Sequence, residues 1–268
     1  MSEYKMPFRE QNSNKGTFGK VLNIAGSDNY IGAAYLSTKS ILKSGAGFAA
    51  LYSTTKVINI VAQNFSEAVY IERNKKFNDY DKFSVLLIGC GLGLGRESKN
   101  IFANALKKAS ALNLPTVIDA DGLNILSELE LALPKDTIIT PHPMEAARLL
   151  KTTLDVILDN LENSAKKLSE KYNSTVVLKT HRTIICSGEK LYINQHGNSS
   201  LAKAGTGDVL AGIISGLLAQ KMEPFEAAKL GVYLHSRAGE IASEKLTQYS
   251  VLASDVIEFL PTAIKEIL

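Results

Sequence analysis

Tryptophan is absent from the 268 residues, and cysteine occurs only at Cys90 and Cys186. Two thiols so far apart give neither a disulfide framework nor a pair at metal-ligand spacing. Both read as buried small residues in a reducing compartment. No stretch approaches the roughly 20 apolar residues of a membrane span. The polar start, residues 1–15, lacks the apolar core of a signal peptide. Charge of one sign is also missing, because 30 Lys and Arg against 27 Asp and Glu leave a net +3. That balance argues against a nucleic-acid partner, and Arg73-Asn74-Lys75-Lys76 reads as solvated surface. Repeats, low-complexity runs and linkers are lacking too. The sequence therefore predicts a cytoplasmic protein with no membrane or nucleic-acid partner, built as one domain over 1–268.

What is present is an ordinary globular balance, 45% hydrophobic and 21% charged, with enough chain to bury a large core without staples. Short apolar runs at 21–25, 48–52, 84–88, 116–118, 136–139 and 175–178 read as strands. They are apolar nearly throughout, which suits parallel strands covered on both faces. Helical patterns at 32–43, 98–112, 143–150 and 155–172 lie between them, so the expected fold is a three-layer α/β/α sandwich around a mostly parallel central sheet. Residues 183–187 and 190–194, separated by Gly188-Glu189, predict a hairpin. The chain then turns helical over 208–221, 224–245 and 253–268.

The strongest chemical signal is Ala202-Lys203-Ala204-Gly205-Thr206-Gly207-Asp208-Val209-Leu210-Ala211-Gly212. Gly205 and Gly207 let backbone N–H groups approach a ligand. A helix that starts at once turns its unpaired N–H groups and positive dipole end toward that ligand, an arrangement that favours phosphate. Asp208 is then either a helix cap or a general base beside a bound phosphoryl group. The flanking glycines favour the base.

Other candidates stand at the ends of predicted strands. Ala25-Gly26-Ser27, followed by Gly32-Ala33-Ala34 opening a helix, leaves space for a ligand at the sheet's crevice. Ser40, Gly45, Ala46 and Gly47 allow close helix–sheet packing. Ile88-Gly89-Cys90-Gly91-Leu92-Gly93-Leu94-Gly95 predicts a ligand-facing loop, third in the sheet, whose spacing is not that of a dinucleotide fingerprint. In Val117-Ile118-Asp119-Ala120-Asp121-Gly122-Leu123-Asn124, Asp119 either orders a Mg²⁺ water or a substrate hydroxyl, or serves a turn and helix cap. Thr140-Pro141-His142-Pro143-Met144-Glu145 holds His142 rigidly between prolines, as ligand contact would require. Lys179-Thr180-His181-Arg182-Thr183 offers donors for phosphate oxygens, or is a solvated turn. All lie at C-terminal strand ends and should converge on one edge of the sheet. The residues alone reach a phosphate-handling α/β enzyme.

Taken in order, the motifs resemble the NAD(P)H-hydrate dehydratases over nearly the whole chain. The resemblance rests on Lys15-Gly16-Thr17-Phe18-Gly19, Ala25-Gly26-Ser27, Gly32-Ala33-Ala34, Ser44-Gly45-Ala46-Gly47, Gly91-Leu92-Gly93, Asp119-Ala120-Asp121, Thr140-Pro141-His142-Pro143, residues 194–198 and residues 204–212. It implies a ribokinase-like fold and repair of hydrated NADH and NADPH (NADHX and NADPHX). The hydrate hydroxyl is phosphorylated by ADP or ATP, with ADP favoured and Mg²⁺ assisting, and phosphate elimination restores the dihydronicotinamide. By motif position, Asp208 would be the catalytic base, while Ala33, Ala34, Gly91, Gly93, His142 and Asp208 would bind the hydrate. Lys179, Thr180, His181, Arg182, Thr183, Gly205, Thr206 and Gly207 would hold the adenine nucleotide. The resemblance also implies a homotetramer. Asn14, Cys90, Met144 and Ala204 stand where the family more often has His, Pro, Gly and Gly, and Met144 is expected to narrow the pocket behind His142. Many members carry a fused N-terminal epimerase domain, and this chain is expected to lack epimerase activity. The competing readings are a ribokinase-like kinase of a small vitamin-precursor alcohol, such as a thiazole or pyrimidine, and a non-catalytic nucleotide-binding protein.

Overall fold

Nine strands form one sheet in the order β3-β2-β1-β4-β5-β6-β7-β8-β9 in the computed structural model, which describes residues 4–73 and 77–268. The strands are β1 (Lys20–Ile24), β2 (Phe48–Ser53), β3 (Val69–Glu72), β4 (Val85–Ile88), β5 (Thr116–Ile118), β6 (Thr137–Ile139), β7 (Thr175–Leu178), β8 (Ile184–Ser187) and β9 (Lys190–Ile193). Neighbours from β3 to β7 pair in parallel, whereas β8 and β9 return antiparallel as the expected hairpin. Residues 74–76 of the basic stretch lie outside the described residues.

The helices are α1 (Ile31–Lys43), α2 (Thr55–Asn64), α3 (Arg96–Leu112), α4 (Asp121–Leu129), α5 (Pro143–Leu150), α6 (Leu154–Asp159), α7 (Leu161–Tyr172), α8 (Thr206–Ala219), α9 (Pro224–Leu246) and α10 (Ala253–Lys265). Each parallel strand alternates its side chains between two cores. Val85 and Leu87 join α1, α2, α8, α9 and α10 on one face. Leu86 and Ile88 join α3, α4, α5 and α7 on the other. Burial on both faces is why these strands are mostly apolar. The result is the three-layer α/β/α sandwich. None of the helices among the described residues is long and apolar enough to cross a membrane.

Two features place the site. First, the register sets Tyr52, Ile24, Ile88, Ile118, Ile139 and Val176 in one row across β2, β1, β4, β5, β6 and β7. The loops that follow these residues therefore leave the sheet at nearly the same level. Second, the chain runs outward from β1 to β3 and then crosses back to β4, so the strand order reverses between β1 and β4. A crevice opens at such a switch point, beyond the carboxyl ends of the strands.

Several elements depart from the sequence expectation. The glycine loop follows the fourth strand in chain order rather than the third, because β3 and α2 were not foreseen. β3 is a partly exposed edge strand, and α2 is capped by the Thr54 hydroxyl, which accepts from the Val57 N–H. The helix predicted over 155–172 is broken at Asn160, whose side chain accepts from the Asn163 N–H and starts α7 afresh. Ser40 faces Gly212 of α8 rather than the sheet. A methyl on Gly216 would fall 2.5 Å from the Ile41 carbonyl, so small residues let α1 and α8 cross closely.

Candidate active site

The loops after β1 and β4 are stitched together by a Gly26 N–H to Cys90 C=O bond of 2.8 Å. Gly91 abuts Tyr30 and Ala33 at the head of α1, and Gly93 lies beside Ser27. Gly93 also donates its N–H to Asp121 Oδ2 at 2.7 Å, joining the loop after β5 to the same wall. Ala33, Gly91 and Gly93 thus come together at the switch point. Ala34 is fully buried and packs beneath Gly26.

Behind this wall sits a buried polar cluster. Asp119, which follows β5, accepts from the Lys179 ammonium at 2.6 Å and from the Thr140 hydroxyl at 2.7 Å. Lys179 follows β7 and is tied by its own N–H to the Pro141 carbonyl at 2.8 Å. The ends of β5, β6 and β7 therefore meet at one carboxylate. Asp119 caps no helix: the residue before α4 is Ala120, held at φ 50°, and no side chain caps that helix. Cys90 is fully buried, and its Sγ donates to Asp119 Oδ2 at 4.0 Å. The thiol and the two carboxylates all lie within 4.8 Å of one another.

Asp208 enters from the opposite side, in the first turn of α8. Gly205, at φ 91°, is the residue that precedes the helix, so the capping alternative for Asp208 does not hold. Gly205 uses a left-handed conformation that glycine adopts without penalty, and this turns the helix start toward the cluster. The first N–H to bond within the helix is that of Val209, to the Gly205 carbonyl. The earlier N–H groups, including those of Gly207 and Asp208, form the positive end that an anion would meet. Gly207 faces Lys179, and a methyl there would lie 3.4 Å from its Nζ.

Burial, then the neighbouring Asp119 charge, push the Asp208 carboxyl up to about 7, while Cys90 and Lys179 oppose the rise. A base poised near neutrality is suited to proton abstraction. Burial raises the Cys90 thiol well above its ordinary value, and the Asp208 and Asp119 charges add to it. The cluster does not fit a resident Mg²⁺. That ion prefers oxygen donors and retained water, whereas here a soft thiol intervenes and Asp119 is already held by Lys179 and Thr140.

His142 is structurally committed at one nitrogen. Its Nδ1 accepts from the Met144 and Glu145 N–H groups, while Glu145 Oε2 accepts from the His142 N–H, a reciprocal cap for α5. The His142 Nε2 lies 3.5 Å from Glu145 Oε1, and the ring remains half exposed. Burial pushes Glu145 up to about 7. Met144 is 40% exposed in the first turn of α5. Thr180, His181, Arg182 and Thr183 form the β7–β8 turn at the same sheet edge. The Thr180 and Thr183 hydroxyls are spent on the Arg182 and Thr180 carbonyls, and Arg182 is bonded to Gln195.

The residues that sequence reasoning passed over are Cys90 as a neighbour of Asp208, Glu145 and His235. His235 on α9 is buried with its Nε2 unpartnered. Burial pushes it down to about 4. Asn194 ties the 194–198 segment to the same helix by donating to the Ser236 hydroxyl at 3.0 Å.

Comparisons with known proteins agree with this geometry. The family described as NAD(P)H-hydrate dehydratase matches residues 21–262. An ADP-dependent (S)-NAD(P)H-hydrate dehydratase of Neisseria meningitidis serogroup B is 37% identical over 244 residues, covering 88% of this chain and 81% of its own. A ribokinase-like superfamily protein of Enterococcus faecalis superposes with a TM-score of 0.90 at 32% identity, covering 98% of this chain and 92% of that one. The ADP/ATP-dependent NAD(P)H-hydrate dehydratase of Bacillus subtilis, co-crystallised with ATP and Mg²⁺, gives a TM-score of 0.88 at 28% identity, covering 98% and 95%.

Proposed function

The chain belongs to the NAD(P)H-hydrate dehydratase family, and on that premise we propose that Asp208 is the base of its reaction. The enzyme is a hydro-lyase that restores NADH and NADPH from (S)-NADHX and (S)-NADPHX while consuming ADP. The observation that carries the assignment of the base is the placement of Asp208. It sits at the anion-favouring start of α8, beside a buried carboxylate–ammonium pair and poised near neutrality.

The nucleotide phosphates lie against the N–H groups of Gly205, Thr206 and Gly207, with Lys179 beside Gly207. Mg²⁺ would accompany those phosphates, where it would offset their negative charge. The adenosine end extends along the turn of Thr180, His181, Arg182 and Thr183. The hydrated ring lies over Ala33, Gly91 and Gly93 with the exposed face of His142 at its side, and Ala34 supports that floor from below. Asp208 takes the proton of the ring hydroxyl as its oxygen bonds to the terminal phosphorus and the nucleotide leaves. The ring carbon's original bond to that oxygen then breaks. Phosphate departs with the electron pair, and loss of a proton from the adjacent carbon restores the dihydronicotinamide. Backbone donors do not change shape between ground and transition states, so they stabilise the developing charge without reorganising.

A homotetramer is the assembly that the resemblance implies. An apolar groove of about 300 Å³ lined by Ile31, Tyr35, Ile60 and Val61 offers a surface for it, and light scattering on the purified protein tests the mass. The activity is tested by incubating protein with hydrated NADH, Mg²⁺ and either ADP or ATP while following the dihydronicotinamide absorbance. A nucleotide-dependent rise with free phosphate supports the dehydratase, and the faster nucleotide is the donor. A flat trace from folded protein, with a stable phosphate ester formed on a small alcohol, overturns it in favour of a kinase.

A further inference from the structure

Arg73 follows β3 directly and reads in the sequence as solvated surface, yet it is half-buried. Its N–H extends the β2–β3 ladder by donating to the Ser53 carbonyl at 2.9 Å. The side chain then reaches across the end of β2 to the loop after β1, where Nη2 donates to the Gly26 carbonyl at 2.7 Å. The preceding carbonyl, that of Ala25, accepts from the Ser53 hydroxyl at 2.6 Å. Gly26 stands at φ 78°, and its own N–H is bonded to the Cys90 carbonyl. This one glycine is therefore tied at both ends, to the loop after β4 and to the edge of the sheet. Arg73 Nε is buried without a hydrogen-bond partner, so the guanidinium is a costly way to fill space, and an apolar side chain would fill it better. What the guanidinium alone supplies there is a charged donor, about twice as strong as a neutral one. The accompanying negative charge comes from Glu97 in the first turn of α3 and Asp28 in the β1–α1 loop.

Resting on the reading that the hydrate lies over Ala33, Gly91 and Gly93, we propose that Arg73 is a positioning residue for the hydrate site: its guanidinium fixes the Gly26–Ser27 peptide, and through it the floor beneath the ring. Ser27 stands beside Gly93, and its carbonyl accepts from the Tyr30 N–H at 2.9 Å, which sets the entry to α1 and so the place of Ala33. Arg73 acts through that peptide and not on the reacting atoms. Asp208, Lys179 and the start of α8 are placed by other elements, so the base and the phosphate site should be indifferent to it.

The experiment compares wild type, Arg73→Met, Arg73→Lys and Ile71→Ala by steady-state kinetics with hydrated NADH and ADP, and by amide hydrogen exchange. In Arg73→Met the KM for the hydrate should rise about tenfold, the size of one charge-assisted hydrogen bond, with kcat and the KM for ADP unchanged. Arg73→Lys keeps a charged donor on a shorter arm and should recover part of that KM, which a space-filling role would not require. Ile71→Ala strips core contacts from the same strand, so it should lower stability without moving the hydrate KM. Exchange of the Gly26 and Tyr30 N–H groups should quicken in Arg73→Met and stay at the wild-type rate in Ile71→Ala. A wild-type hydrate KM or wild-type exchange in folded Arg73→Met overturns the proposal, as does an equal rise in KM in Ile71→Ala. A wild-type enzyme that does not turn over the hydrate overturns the reading of the site instead, and the exchange rates then still decide whether Arg73 holds the loop.

Discussion

Lys179 Nζ lies 2.6 Å from Asp119 Oδ1 although 60 residues separate them in the chain, and after burial this pair is what acts on the Asp208 carboxyl. The Asp119 charge raises Asp208 and the Lys179 charge lowers it. Replacing Asp119 by Asn removes the raising charge and leaves the ammonium alone. The acid limb of the pH–rate profile should then move down. Stability should fall by about 3 kcal/mol, because an unpaired buried charge is left behind. Urea melts and pH profiles on the same variant measure both, and an unmoved acid limb would separate Asp119 from the base.

Asp208 should cost the free enzyme stability. Its folded-state value of about 7 lies above its ordinary 3.8, so the unfolded chain releases the proton first as pH rises. Stability is unaffected below about pH 4 and is lost progressively up to pH 7. Asp208→Asn, which cannot ionise, should match wild type near pH 4 and exceed it by about 4 kcal/mol at pH 8, in the absence of nucleotide. The same variant should lose about a thousandfold in turnover. Melts at both pH values check the sign, and equal stabilities at pH 8 contradict it.

His235 acts in the opposite sense. It is neutral when folded, with a value near 4 against an ordinary 6.5, so the unfolded chain binds the extra proton as pH falls. Stability is complete above pH 6.5 and declines toward pH 4. His235→Asn keeps a polar side chain without the titration. Wild type should lose about 3 kcal/mol relative to this variant across that window. Denaturation of both proteins at pH 7 and pH 4 measures the difference. A constant gap would mean that His235 is charged in the folded state.

Much of the fold was legible because its physical causes are local. Val85, Leu86, Leu87 and Ile88 are all buried, so an unbroken apolar run marked a strand covered on both faces. Gly188-Glu189 marked the hairpin in the same way. β3 was missed because an edge strand whose residues are exposed or half-exposed carries no such run. α4 was missed because Asp121-Gly122 at its start reads as a turn, while its entry depends on Ala120 at φ 50°, which composition does not reveal. The glycine loop and Asp208 stood out because helix-start chemistry is written in neighbouring residues. Lys179 was read as a phosphate ligand, and Cys90 as filler, because their partner Asp119 is brought to them only by the shared level of the strand ends.

The two glycines of the α8 loop should separate folding from function. Gly205 has φ 91°, and a methyl there would meet Leu36 Cδ1 at 2.6 Å and Ala253 Cβ at 3.2 Å. Gly205→Ala should therefore lose about 2 kcal/mol of stability through backbone strain and crowding. Gly207 is helical, and its added methyl would sit 3.4 Å from Lys179 Nζ and 3.7 Å from Asp119 Oδ2, ordinary contact distances. Gly207→Ala should fold at least as well as wild type, gaining about 0.5 kcal/mol from a stiffer unfolded chain. Its methyl nevertheless occupies the space between Lys179 and the incoming phosphate. Turnover should fall about a hundredfold through misplacement of the reacting atoms, with a raised KM for the nucleotide. Melting curves and steady-state kinetics on both variants decide the matter. If Gly207→Ala is active and Gly205→Ala merely unstable, the phosphate does not pass beside Lys179, and the anion site lies elsewhere on the sheet's edge.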